Sequence, residues 1–208
     1  MSESTGQAPR RPCSCTRTHV PARVVLTGGP GAGKTAVLEL CRRAFCRHVV
    51  ILPESASLLF SGGFPRGGAR AERAATQRAI YHVQRELECV ADAQDGAAIV
   101  LCDRGTVDGA AYWPGPGSLF EEVGSSHAAE LARYHAVIHL RTPDPRDYTF
   151  DNPVRVESAA QAAAIDEEIA RAWSEHSRVF VVESRASFLD KAAAALTFAR
   201  EQLPACCG

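Results

Sequence analysis

The sequence predicts an α/β domain, a parallel sheet covered on both faces by helices. Three observations predict it. Short apolar runs alternate with helix-length amphipathic segments from residue 23 to residue 203. Five of those runs have strand length, which suits one doubly wound sheet, and a glycine-rich turn joins the first run to the first helical pattern. The chain has 208 residues, 46% of them hydrophobic, enough to bury one substantial core.

The elements follow in order. Residues 1–22 are polar, rich in turn formers and without an apolar signal region, and are expected to form a flexible tail ahead of one domain at 23–208. Pro9 and Pro12 break the amphipathic helix that a mitochondrial presequence needs, so a cytoplasmic location is expected. Strands are predicted at 23–28 (RVVLTG), 49–54 (VVILPE), 97–103 (AAIVLCD), 135–140 (HAVIHL) and 178–183 (RVFVVE). Helices are predicted at 33–46, 70–94, 159–176 and 187–203, with shorter pieces at 105–112 and 117–133. In the helix at 159–176, Ile165, Ile169, Ala172 and Trp173 form an inward stripe, so Trp173 is read as packing. Gln77 and Gln84 share the inner stripe of the helix at 70–94, where either a core network or a ligand must satisfy their amides.

Composition excludes several roles. A net charge of -1 supplies no basic field for a nucleic acid polymer. The longest apolar runs fall far short of the ~20 residues that span a bilayer. The eight cysteines form no paired C-x-x-C knuckles, so they are expected to be reduced thiols, packed as small apolar groups, rather than a zinc site.

Residues 28–35 read GGPGAGKT and fit the pattern G-x-x-x-x-G-K-[ST], after a strand and before a helix. A chance match in this composition is on the order of one in a thousand. The glycines let successive N–H groups converge on phosphate oxygens at the positive end of a helix. Gly28, Gly29, Pro30, Gly31, Ala32, Gly33, Lys34, Thr35 and Ala36 are therefore expected to hold ATP, with Lys34 on the β- and γ-phosphates and the Thr35 hydroxyl on Mg²⁺. Lys34 is one of only two lysines in an arginine-rich chain and stands where a compact ammonium is wanted.

The second acid separates the classes of phosphate-loop protein. No N-K-x-D guanine reader occurs, and FSGGF at 60–64 is misplaced for a transporter-ATPase signature. The Asp-Glu pair of a hydrolytic motor is replaced by Asp103-Arg104. Asp103 is expected to hold Mg²⁺ directly or through water, and Arg104 suits a second substrate bearing an anion or a hydroxyl.

With these residues the chain resembles P-loop nucleoside and nucleotide kinases, which pair the phosphate loop with a D-R or E-R motif on a later strand. More narrowly, TGGPGAGKT, PESA, DRGTVDGAAYW and DNPVRVE look like a group of bacterial AAA-domain ATP-binding proteins similar to the kinase domain of the bifunctional nicotinamide-nucleotide regulator. The resemblance covers residues 23 to 203. It implies a three-layer P-loop NTPase sandwich with strand order 2-3-1-4-5, a small lid, and the motifs at the C-terminal edge of the sheet. It also implies that Glu54 is the general base for an acceptor hydroxyl, a role consistent with an acid and Pro53 interrupting an apolar run at the edge where such sheets bind ligands.

Residues 141–157 (RTPDPRDYTFDNPVRVE) form a long polar stretch bearing Arg141, Arg146 and Arg155, read as the lid, with Arg146 and Arg155 set to neutralise phosphoryl charge. Residues 58–73 (LLFSGGFPRGGARAER) are read as a second mobile cover carrying Arg66, Arg70 and Arg73. Phe60, Phe64 and Gln77 are candidates to hold a planar base, and Asp108 either contacts the acceptor or braces its loop. The expected function is ATP- and Mg²⁺-dependent phosphoryl transfer to a small, nucleoside-like acceptor by a monomer or homodimer. The alternatives are a nucleotide-dependent switch that binds a partner protein and a nucleotide-binding structural module.

Overall fold

A computed structural model describes residues 11–94, 96–143, 158–184 and 187–207. Five parallel strands form one sheet: β1 (Ala22–Thr27), β2 (Val49–Leu52), β3 (Ile99–Asp103), β4 (Ala136–Leu140) and β5 (Val179–Val182), in the order β2-β3-β1-β4-β5. β3 and β4 are buried along their whole length and β1 from Val24 onward, in mainly apolar runs, because both faces of the sheet are covered.

Helices α1 (Lys34–Ala44) and α7 (Phe188–Glu201) close one face. Val37, Leu38 and Cys41 of α1 pack there with Ala192 and Ala195 of α7 against Val24, Leu26 and Ile138. The other face is closed by α3 (Arg70–Asp92) and α6 (Ala159–Trp173), where Ala91, Ile169 and Trp173 meet Val25, Val100 and Val137. Trp173 is fully buried, as its place on the inward stripe predicts. Between these lie α2 (Ser55–Ser61), a 3-10 helix at Thr106–Tyr112, α4 (Leu119–Glu122) and α5 (His127–Leu131).

The predicted elements match the observed ones to within a few residues at their ends, with two differences. The segment expected to be a mobile cover is helical at both ends: residues 58–61 finish α2, whose first turn starts as Leu58 N–H returns to the Glu54 carbonyl, and residues 70–73 open α3. The helical piece at 117–133 divides in two at Gly124, which has φ 72°. Of the expected tail, residues 11–21 are described: Arg11 bridges Cys46 in parallel and Cys15 is buried, so this stretch is docked on the domain.

Register sets the geometry of the site. Leu26 pairs with Asp103, Leu52 with Cys102, and Thr27 with His139. The residues that follow β1, β2 and β3 therefore leave the sheet side by side at its C-terminal edge. They are the phosphate loop, Glu54 and Arg104.

Candidate active site

The loop from Gly28 to Gly33 turns into α1 through backbone conformations that its glycines permit. Gly28 has φ 137°, and a Cβ there would lie 2.0 Å from the Leu140 carbonyl oxygen. Gly33, the residue before α1, has φ 92°, and a Cβ would lie 2.6 Å from the Phe188 ring. Side chains at either position would close the loop. Lys34 opens α1, and its Nζ donates to the carbonyls of Gly28 (2.9 Å) and Gly29 (3.1 Å). Burial, reinforced by the Arg104 charge, lowers its pKa to about 8.

One residue that holds this loop carries no motif in the sequence. Asp166, buried on α6, accepts from Gly29 N–H at 2.8 Å and from Thr142 N–H at 3.3 Å, and lies 2.9 Å from His139 Nε2 and 3.1 Å from Arg141. Burial alone would raise its pKa, but His139, the Gly29 N–H and Arg141 outweigh that and hold it below the ordinary value. Asp166 thus ties the phosphate loop to β4 and α6 as a charged group.

Opposite the loop, Asp103 ends β3 with 8% of its surface exposed. Its Oδ1 has no hydrogen-bond partner among the described residues. Burial raises its pKa to about 6, with Glu54 adding to the shift and Lys34 opposing it. An uncompensated buried carboxylate oxygen calls for a cation. Thr35, exposed on the first turn of α1, lines the same cavity, so hydroxyl and carboxylate fit the oxygen-donor set of Mg²⁺.

Arg104 has φ 70°, unusual for a residue with a Cβ. Its backbone N–H bonds to Leu26 O at 3.1 Å, while its Nε donates to Glu54 Oε1 at 2.7 Å and NH1 donates to Asp108 Oδ1 at 3.0 Å. A left-handed residue so tightly engaged is backbone strain held in place by its surroundings. Glu54 also accepts from the Ser57 hydroxyl. Burial pushes its carboxyl up, but Arg104, Ser57 and Lys34 together bring it below the ordinary value, so it is ionised near neutrality.

Asp108 is 3% exposed and accepts from Thr27 Oγ1, from Arg104, from Gly105 N–H at 3.1 Å and from Trp173 Nε1 at 3.1 Å. With its oxygens engaged by protein donors, it braces the turn that carries Arg104. Beneath that turn, Thr106 N–H donates to the Tyr134 hydroxyl at 2.8 Å, and Tyr134 donates to the fully buried Glu88 at 2.8 Å. Gln84 joins the same network, accepting from Ser55 (2.7 Å) and donating to Glu88 (2.9 Å). Of the two possibilities for its amide, the core network is the one found.

These groups surround one cavity of about 720 Å³, lined by the phosphate loop, Glu54, Asp103, Arg104 and Asp108 on one side and by Phe60, Arg66, Gln77, Tyr81 and Tyr112 on the other. Arg66 lies over the Phe60 ring at 3.9 Å. Phe64 is not in this lining: the chain turns at Gly62–Gly63, and Phe64 N–H bonds back to Leu59 O. Arg146 and Arg155 lie outside the described residues.

The family model for the AAA domain matches residues 23–191, most of the chain. The chain belongs to the AAA domain family. No curated protein matches this AAA domain. Among solved structures, NadR in complex with NR superposes with a TM-score of 0.65 at 17% identity, over 89% of this chain and 52% of NadR. NadR in complex with NAD and AMP-PNP gives a TM-score of 0.60 at 16% identity, over 88% of this chain and 49% of that one. Thymidylate kinase from Candida albicans gives a TM-score of 0.57 at 11% identity, over 89% of this chain and 93% of the kinase. This AAA domain therefore spans about half the length of NadR, and it shares the fold of the P-loop kinases, with strand order 2-3-1-4-5.

Proposed function

We propose that this AAA domain transfers the γ-phosphoryl group of ATP to a hydroxyl of a small, nucleoside-like acceptor. The observation that carries the reading is the Glu54–Arg104 pair, 2.7 Å apart, in the same cavity as the phosphate loop. A carboxylate kept ionised there accepts a proton; a hydrolytic site needs no such pairing with an acceptor pocket.

In this mechanism the loop N–H groups and Lys34 bind the triphosphate. Lys34 exchanges its bonds to the Gly28 and Gly29 carbonyls for phosphate oxygens, which it can do because those contacts lie within its own loop. Thr35 and Asp103 would hold Mg²⁺, which supplies charge neutralisation on the phosphates. Glu54 takes the proton of the acceptor hydroxyl as that oxygen forms its bond to the γ-phosphorus, and the bond from phosphorus to the β–γ bridging oxygen breaks to leave ADP. Arg104, already engaged by Glu54 and Asp108, orients the base, which favours a hydroxyl over a phosphate as the accepting group. Phe60, Tyr112 and Gln77 offer apolar and amide contacts to a planar acceptor. Arg146 and Arg155 act from the lid on the transferred group.

A screen of nucleosides, nucleotides and vitamins with ATP and Mg²⁺ tests this, read by thermal shift and by product detection. An acceptor should both stabilise the fold and consume ATP. ATP hydrolysis of the same rate with and without every compound would reject the proposal and favour a nucleotide switch.

A further inference from the structure

Three separate stretches of chain bring cysteine and histidine together at the end of the molecule away from the phosphate loop. His48 stands just before β2 and is 3% exposed. Its Nδ1 has Cys207 Sγ at 3.2 Å, Cys13 Sγ at 3.5 Å and Cys46 Sγ at 3.6 Å. One ring nitrogen engages a single S–H through its lone pair, so hydrogen bonding does not account for three sulfurs around it.

Tetrahedral coordination does account for them. With Zn–S near 2.3 Å and Zn–N of about 2.0–2.1 Å, the N···S edges of a tetrahedron are about 3.6 Å and the S···S edges about 3.8 Å. The four donor atoms lie within 4.8 Å of one another, and all these cysteines are free of disulfides. We propose that Cys13, Cys46, Cys207 and His48 Nδ1 bind one Zn²⁺ in a closed structural site. On binding, the three thiols release three protons to solvent and the ion takes three thiolates and one neutral imidazole. Three sulfurs with one imidazole select zinc over the hard cations of the nucleotide site. Beside this shell, Cys15 and His19, 3.4 Å apart, approach Cys207 as well and form the adjoining wall.

The ion would staple three segments. The stretch holding Cys13 is docked by the Arg11–Cys46 bridge and by the Arg47 guanidinium, which donates to Cys15 O at 3.3 Å. Cys207 follows α7 in a turn closed by its N–H on Pro204 O at 2.8 Å. His48 O accepts from Ala98 and Ile99 N–H at the start of β3. The site thus lies where the strands begin, opposite the edge at which the nucleotide cavity opens.

The test uses the full chain, reduced and stripped of metal, titrated with Co²⁺. The expected result is intense visible absorption and a thiolate-to-cobalt charge-transfer band saturating near one equivalent, both lost on adding Zn²⁺, with about one zinc per chain in the protein as purified. Cys13→Ser and Cys207→Ser lie outside the sheet and helices; each should abolish the cobalt spectrum while the far-ultraviolet circular dichroism is kept. Cys89→Ser, exposed on α3, should leave the spectrum unchanged. A weak octahedral cobalt spectrum in the wild-type chain overturns the proposal. So does an unaltered spectrum in both variants, or a disulfide among these thiols in the freshly purified protein. If a variant fails to fold, the wild-type titration and metal content decide by themselves.

Discussion

Glu54 and Asp103 are both carboxylates at strand ends, yet their surroundings push them apart. Glu54 is drawn to its ionised form by Arg104 and Ser57, whereas burial raises Asp103 to about pH 6 until a cation compensates it. Glu54→Gln removes the proton acceptor but keeps a side chain that can meet Arg104. Its kcat should fall 10²- to 10⁴-fold with ATP affinity within a few-fold of wild type; single-turnover kinetics beside calorimetric ATP binding would check this. Asp103→Asn should abolish Mg²⁺-dependent turnover and weaken ATP binding only modestly, and unchanged turnover would reject the metal role. The phosphate loop, Glu54 and Asp103-Arg104 were legible in the sequence because each is a short run fixed to the end of an apolar strand. Asp166 was not: it sits among Ile165, Ile169 and Trp173 on a helix whose periodicity reports only packing. The Cys–His cluster was equally hidden, since Cys13, the Cys46–His48 pair and Cys207 lie on three distant stretches of chain that meet only in the folded domain.

At the scale of elements, α6 has two jobs. Ile169 and Trp173 fill the core, while Asp166, on the same helix, holds the phosphate loop from below. Asp166→Ala should leave His139 and Arg141 without their common acceptor and free the Gly29 N–H. We expect a stability loss on the order of 3 kcal/mol in denaturant titrations and a weaker Kd for ATP. The second lysine of the chain, Lys191 on α7, gives a pH signature. It is 3% exposed, donates to Arg141 O, and burial lowers its pKa to about 8. Between that value and the ordinary lysine range the unfolded chain holds one more proton than the folded one, so stability rises with pH there. Lys191→Met should reduce the gain in stability between about pH 7 and about pH 9.5 by about 2 kcal/mol, as read from urea midpoints at each pH. Element boundaries depart from the sequence reading chiefly at α2, a seven-residue helix that follows Glu54 and stops at Gly62, where the glycine-rich stretch begins.

For the whole molecule, a parallel sheet places the nucleotide cavity at one edge and the Cys13, Cys46, His48 and Cys207 cluster at the other. Strand order and register carry the phosphate loop, Glu54 and Asp103-Arg104 into a single cavity, and no helix among the described residues is long and apolar enough to cross a membrane. The fold was legible because five apolar runs separated by amphipathic segments leave few ways to cover both faces of a sheet. The acceptor was not, because the side chains that line the cavity wall, Phe60, Arg66, Gln77 and Tyr112, offer aromatic, cationic and amide contacts that suit many small molecules. The central claim is that the γ-phosphoryl group goes to a small hydroxyl acceptor through Glu54. It is tested most directly by following labelled γ-phosphate from ATP in the presence of an acceptor that raises the Tm. The account predicts label in a phosphate ester of that acceptor, formed by wild type and lost in Glu54→Gln. Label released only as inorganic phosphate, at equal rates in both proteins, would contradict it.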